Sequence, residues 1–238
     1  MKTEILFPEV ANLCGDLMNV TYLRQCCPEM EVVETGLKDR PTFLDGGVDL
    51  VYVGSATERG LQLMVKALAP YRAELERYVD GGGLMLATGN ALDALGEYVV
   101  IDGKRAFDGL GLLKTHAEYH MMKRHNSFLL GSFQDMEIVG FKSLFGHTYP
   151  DDELANPLFR VDRGVGRHPG AFAEGFLRGG LMATYLIGPL LPLNPPFTRY
   201  LLEQMGAKDV KLAFEDTAMK AYRARVEEFR DEKRGYQY

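Results

Sequence analysis

Basic charge, cysteine and long apolar runs are all scarce in this chain of 238 residues. The net charge is −6. A dedicated nucleic-acid binder needs a basic face for phosphate contacts, so no nucleic-acid partner is expected. Only three cysteines occur, Cys14, Cys26 and Cys27. They form no even framework, and adjacent cysteines rarely bridge, so a reducing, cytoplasmic setting is expected. The longest apolar stretch, Leu181 to Leu193, is interrupted by Gly188, Pro189 and Pro192. It cannot span a hydrocarbon layer of roughly 30 Å, so no membrane insertion is expected. The first residues, Met1-Lys2-Thr3-Glu4, lack the pattern of a secretory leader. His116, His120 and His125 lie close in sequence but not at the spacing of one helix or strand face, and no metal is expected there.

What is present is a globular composition, 46% hydrophobic and 25% charged, with ample apolar material for one core. The first hundred residues alternate strand and helix signals. Glu4–Phe7, Met30–Val33, Asp49–Gly54 and Leu84–Thr88 read as short apolar strands. Between them Gly15–Cys26 has helical spacing, and Glu58–Val79 reads as a long amphipathic helix bent at Pro70. Asp80-Gly-Gly-Gly83 stops that helix, and a short helix, Ala91–Leu95, follows the turn Gly89-Asn90. Such alternation predicts an α/β fold with a mostly parallel central sheet covered on both faces. Ligands of such sheets sit beyond the carboxyl ends of the strands, which singles out loops 54–58 and 88–91.

The second half reads differently, as short strand candidates between glycine turns: Leu112–Thr115, Ser127–Phe133, Glu137–Phe141, Phe172–Phe176 and Leu181–Leu186. Asn194 opens a helix through Met205, with Pro195 suited to its first turn. Asp216–Arg230 reads as a charged helix. The expected division is residues 1–206 as the main domain, with 207–238 as a charged helical extension of it.

Five stretches, in order, resemble the glutaminase subunit of lipid II isoglutaminyl synthase, in the cobyric-acid-synthase-like group of class-I glutamine amidotransferases. Leu13-Cys14-Gly15-Asp16-Leu17-Met18-Asn19 is similar to that family's L-Y-G-D-x-G-N. Val53-Gly54-Ser55-Ala56-Thr57-Glu58-Arg59 stands where it has V-G-G-G-x-D-R/E. Ala87-Thr88-Gly89-Asn90 stands at its nucleophile turn, C-G-G-Y-Q. Asp108-Gly109-Leu110-Gly111-Leu112-Leu113 is followed by Ile138-Val139-Gly140-Phe141 and Thr148-Tyr149. The most specific is Thr184-Tyr185-Leu186-Ile187-Gly188-Pro189-Leu190-Leu191-Pro192-Leu193-Asn194-Pro195, against T-Y-L-H-G-P-L-L-P-K-N-P. The resemblance implies a three-layer, flavodoxin-like amidotransferase fold.

It also implies a broken active site. Glutamine hydrolysis needs a nucleophile, a base and donors for the developing oxyanion. Matched to the motif, the nucleophile position holds Thr88 and the base position holds Ile187, so both halves of the dyad are replaced. The remaining pocket positions implied are Asp16, Gly54, Ser55, Ala56, Gly89, Asn90, Leu92 and Arg124. A β-branched Thr88 in place of the strained nucleophile implies that the turn has relaxed. Leu92 and Ile187 would make the pocket more apolar. Several of these residues have a second reading. Asp16 is equally a helix cap, and Arg124 is equally a member of a solvated Lys123-Arg124-His125 loop. Cys14 and His147 are candidates for relocated chemistry, with ordinary packing and loop roles as the alternatives.

Nothing in the sequence calls for a cofactor: there is no phosphate-binding G-x-x-x-x-G-K-[ST], no G-x-S-x-G and no H-E-x-x-H. The resemblance implies a Mur-ligase-like synthetase as partner. Three functions follow as expectations: a non-hydrolysing subunit that holds or regulates such a synthetase, a small-molecule sensor using the former glutamine pocket, or an amidotransferase with a relocated nucleophile.

Overall fold

The computed structural model describes residues 1–152 and 156–237. Its strands are β1 (Lys2–Leu6), β2 (Glu31–Thr35), β3 (Leu50–Val53), β4 (Leu84–Thr88), β5 (Tyr98–Ile101), β6 (Lys104–Asp108) and β7 (Thr115–Tyr119), then β8 (His125–Phe133), β9 (Met136–Leu144), β10 (Gly146–Pro150), β11 (Phe159–Gly164), β12 (Ala173–Glu174), β13 (Phe176–Arg178) and β14 (Leu181–Thr184). The helices are α1 (Met18–Cys26), α2 (Glu58–Leu68), α3 (Arg72–Asp80), α4 (Ala91–Leu95), α5 (Leu190–Leu193), α6 (Pro195–Gln204) and α7 (Glu215–Arg230). Three sheets form, ordered β13-β14-β4-β3-β1-β2, β10-β7-β5-β6 and β12-β11-β8-β9.

The six-stranded sheet is parallel except at its β13 edge. Its inner strands are apolar on both sides because each face is covered. Val51, Val53, Met85 and Ala87 point to one cluster, packed with Leu61, Met64 and Leu68 of α2 and Leu75 and Val79 of α3. Leu50, Tyr52 and Leu86 point to the other, with Val20 and Leu23 of α1 and Phe197 and Leu201 of α6. One strand thus serves two helical layers through its alternation of two. The helix expected over Glu58–Val79 is broken where the proline stands, by a 3-10 turn at Ala69–Tyr71 between α2 and α3.

The second half departs further from expectation. Leu112–Leu113 is a loop rather than a strand: both amides donate to the Leu95 carbonyl, and pairing begins only at Thr115. Strands β6 and β10 carry charged or half-exposed residues and so give no apolar signal, whereas β5 is an apolar run, Tyr98-Val-Val-Ile101, and β11 alternates buried Phe159 and Val161 with exposed residues; neither was among the expected strands. The charged tail helix α7 lies across β8 and β9, burying Tyr222, Val226 and Phe229 against Phe128, Leu130 and Val139. The Tyr222 hydroxyl donates to the Glu137 carbonyl, and the ring of Phe229 stacks on Phe128 at 4.1 Å. No helix among the described residues is long and apolar enough to cross a membrane.

Behind the sheet lies a buried ion pair. Lys142 of β9 donates to Glu174 of β12, and both side chains are fully buried. Lys142 Nζ also donates to the Gly166 carbonyl at 2.6 Å. The second carboxylate oxygen of Glu174 accepts from Thr184 Oγ1 at 2.8 Å and from the Tyr185 amide at 2.7 Å. Every charge-bearing atom of this pair thereby has a partner, as burial demands.

Candidate functional site

A cavity of about 170 Å³ opens beyond the carboxyl ends of β3, β4 and β14, the place the parallel sheet predicts. Its lining includes Leu13, Cys14, Ser55, Ala56, Glu58, Asn90, Arg124, Phe145 and Ile187. Of the expected pocket positions, the fold brings Ser55, Ala56, Gly89, Asn90, Arg124 and Ile187 together here, with Cys14 beside them.

Thr88 is not on that lining. It is fully buried, the last residue of β4. Its hydroxyl donates to Asp16 Oδ2 at 2.9 Å and lies 2.8 Å from the Tyr52 phenol. That phenol also donates to the Asp16 carbonyl at 2.8 Å and accepts from Asn19 Nδ2 at 3.0 Å. The threonine is a structural tie between β4, β3 and the Leu13–Asn19 segment. Asp16 completes the knot by accepting from the Ser55 amide at 2.9 Å. Burial pushes its carboxyl above the usual range, against these hydrogen bonds. Its role is a tie between loops more than a helix cap.

The strained turn has not relaxed; it sits one residue later. Gly89 takes φ of +60°, a conformation that costs an L-residue roughly 1–2 kcal/mol. A Cβ added at Gly89 would come 3.2 Å from Ile187 Cγ2 and well inside van der Waals contact of Ser55 Cβ. At this turn, then, position 89 abuts the side chain of Ile187. A glycine directly after an apolar strand is the sequence signal for such a backbone, and taken before any motif it points to Gly89. Ile187 itself is fixed through its main chain, its N–H donating to the Phe141 carbonyl at 2.9 Å.

Asn90 spans the turn. Its Oδ1 accepts from the Ala56 amide at 2.9 Å, and its Nδ2 donates to the Ala56 carbonyl at 2.8 Å. Leu92, expected in the pocket, is instead a fully buried member of the core between α2 and the sheet. Gly54 also lies behind the lining. A Cβ there would press on the Ala11 carbonyl and the Asp16 side chain, so the position needs glycine for close approach. His147 of β10 is off the lining too. Its ring meets His125 at 5.0 Å, and burial, with the neighbouring His125 and Lys142 charges, pushes its pKa down to about 4. A base so depressed is neutral at pH 7 but weak. Cys14 holds φ of +60° at the cavity edge, and burial pushes its thiol up, away from the thiolate.

Sequence reading missed the network behind the cavity wall. Asp93 of α4 is buried and accepts from Tyr119 at 2.6 Å, Thr148 at 2.6 Å and Tyr185 at 2.5 Å. Tyr119 and Tyr185 also border the cavity. These partners come from β7, from β10 and from the residue just after β14, far apart in sequence, so no local pattern announces them. Burial raises the Asp93 pKa to about 6 despite the three donors. A carboxyl whose folded pKa is raised contributes stability that is complete below about 3.8 and lost as pH rises through about 6. From pH 7 to pH 5 the urea stability of the natural chain should therefore rise by about 1 kcal/mol relative to Asp93→Asn. An unchanged difference between the two chains over that range would show that Asp93 is ionised throughout.

Set beside solved structures, the fold is that of the glutamine amidotransferases. A crystal structure of a glutamine amidotransferase superposes with a TM-score of 0.56 at 15% identity, covering 86% of this chain and 99% of that one. A glutamine amidotransferase from Thermotoga maritima gives 0.53 at 10% identity, covering 98% and 91%. No protein-family model matches the chain. Among curated proteins, the GatD subunit of lipid II isoglutaminyl synthase (glutamine-hydrolyzing) from Staphylococcus aureus is 30% identical over 198 residues, 81% of this chain and 79% of that protein. Its Streptococcus pneumoniae counterpart is 23% identical over 224 residues, 89% and 84% respectively. The chain belongs to the GatD family.

Proposed function

We propose that this chain is a GatD-like amidotransferase subunit that does not hydrolyse glutamine and acts by holding or regulating a Mur-ligase-like synthetase in the cytoplasm. The observation that carries the reading is the pair of residues adjoining each other at the cavity wall, Gly89 and Ile187. We assign Gly89, rather than Thr88, to the nucleophile position, because it has the positive φ and the outlook onto the base position. Neither residue can attack a carbonyl or take a proton. Neither Cys14 nor His147 replaces them as positioned: the first has a raised thiol pKa, and the second lies off the cavity lining with a depressed imidazole.

The partner follows from the relatives, which are named as subunits of a synthase. Surfaces that dock a synthetase do not depend on the two lost side chains, so binding can persist without hydrolysis. The test is ammonia and glutamate release from glutamine by the purified chain, alone and with a co-purifying or neighbour-encoded synthetase. Release at the buffer rate, together with a stable complex on size exclusion, is the expected result. Release abolished by Cys14→Ala or His147→Ala would establish relocated catalysis instead.

A further inference from the structure

On the α1 and α6 side of the sheet, away from the cavity, one aromatic ring stands in solvent. Phe214, the residue before α7, is 73% exposed. It also holds φ of +53°, a left-handed backbone that costs an L-residue roughly 1–2 kcal/mol. The loop around it is nevertheless pinned. The Ala213 amide donates to Cys26 Sγ at 3.3 Å, and the Ala213 carbonyl accepts from the Tyr22 hydroxyl at 3.0 Å. Arg199 donates to the Val210 carbonyl and, at 2.6 Å, to the Glu215 carboxylate. An exposed ring held this firmly is pre-organised to enter another surface, with little entropy left to lose.

Between α6, α7 and the β8–β9 turn lies a groove of about 420 Å³, more than the roughly 150 Å³ that takes up a benzene molecule. Its apolar walls are Met136, Pro196, Tyr200 and Met219, all half-buried. Leu212 and Glu215 also line it, so Phe214 stands at its edge without filling it. The two features carry opposite charge. Asp135 and Glu203 of the groove are exposed, with no cation within 4.0 Å among the described residues, and its Arg199 is taken by Glu215. The loop leading to Phe214 carries exposed Lys208 and Lys211 against one acid, Asp209. Neither lysine has a carboxylate within 4.0 Å among the described residues. An apolar anchor flanked by lysines and an apolar groove flanked by carboxylates thus lie side by side.

We propose that this face joins two copies of the chain about a two-fold axis, each Phe214 entering the other copy's groove and each Lys208 and Lys211 meeting the other copy's Asp135 and Glu203. A patch that holds both anchor and receptor is self-complementary, which an isologous contact requires. No residue of the groove borders the cavity at the strand ends, so both cavities stay open in the pair.

Sedimentation equilibrium of the full chain up to about 200 μM tests this, since interfaces of ordinary size reach micromolar affinity or better. A monomer–dimer equilibrium is the expected result. Phe214→Asn, which supplies a residue tolerant of the left-handed backbone, should weaken the dimer at least tenfold with no loss of melting temperature. Lys208→Glu with Lys211→Glu should weaken it at least tenfold, and adding Asp135→Lys with Glu203→Lys should restore it to within threefold. A chain that stays monomeric, a dimer indifferent to Phe214→Asn, or a charge reversal that is not rescued would overturn the proposal. Amide exchange of the natural chain needs no variant: residues 134–136 and 207–214 should exchange more slowly in the dimer. Protection confined to other segments would overturn this contact. A monomer whose capture of a synthetase is weakened by Phe214→Asn would assign the face to that partner and overturn the pairing of copies.

Discussion

Thr88→Cys with Ile187→His is expected to leave the chain inactive toward glutamine, whereas Gly89→Cys with Ser55→Gly and Ile187→His should release ammonia at least tenfold above background. The difference lies in where each thiol would stand. A cysteine at 88 would replace a hydroxyl that sits between Asp16 and Tyr52, buried behind the cavity wall. A cysteine at 89 would project toward position 187. Ser55 must change with it, because its Cβ occupies the space a side chain at 89 would enter. Without that relief, Gly89→Cys adds a steric clash to the backbone strain of its positive φ and should destabilise the chain by about 3 kcal/mol. The restored rate should remain low, since Asn90 engages the Ala56 amide beside the turn; one missing oxyanion donor costs about 10²–10³ in rate. If the Thr88→Cys pair hydrolysed glutamine as fast as the Gly89→Cys set, the assignment of position 89 would fall.

The second large effect is in stability. Lys142→Met should cost about 3–5 kcal/mol in urea unfolding, because it strands the Glu174 carboxylate in a dry interior. Glu174 would keep Thr184 and the Tyr185 amide as donors but no counter-charge. Lys142→Met with Glu174→Leu should recover part of that loss, although Thr184 Oγ1 and the Tyr185 N–H then lack an acceptor. A cost below about 1 kcal/mol for Lys142→Met would mean that water reaches the pair.

The parallel half of the fold was legible because its strands are buried on both faces. Leu84–Thr88 and Ala91–Leu95 lie where the apolar run and the following turn place them. Strands β6 and β10 were not legible, since half-exposed strands such as Lys104–Asp108 carry polar side chains that periodicity cannot rank, whereas β5 (Tyr98-Val-Val-Ile101) and β11 (Phe159 and Val161 in alternation) carry an apolar signal that the expected strands left out. At the candidate site, loops 54–58 and 88–91 were singled out because ligands of parallel sheets gather at strand ends, and both loops border the cavity. For the turn residue, motif and backbone point to neighbouring positions: the motif to Thr88, the positive φ to Gly89. Thr88 looked like a substituted nucleophile, yet it is the tie beneath Gly89. Asp93 and its three hydroxyl partners were invisible for a different reason, being assembled only when β7, β10 and the segment after β14 meet α4.

The paired bonds between Asn90 and Ala56 also bear on kinetics. They rivet the turn after β4 to the loop after β3, so the two walls at the strand ends move as one piece. Separating those walls requires both bonds to break together, so the spacing between the two strand ends is set by one side chain rather than by the mobility of either loop.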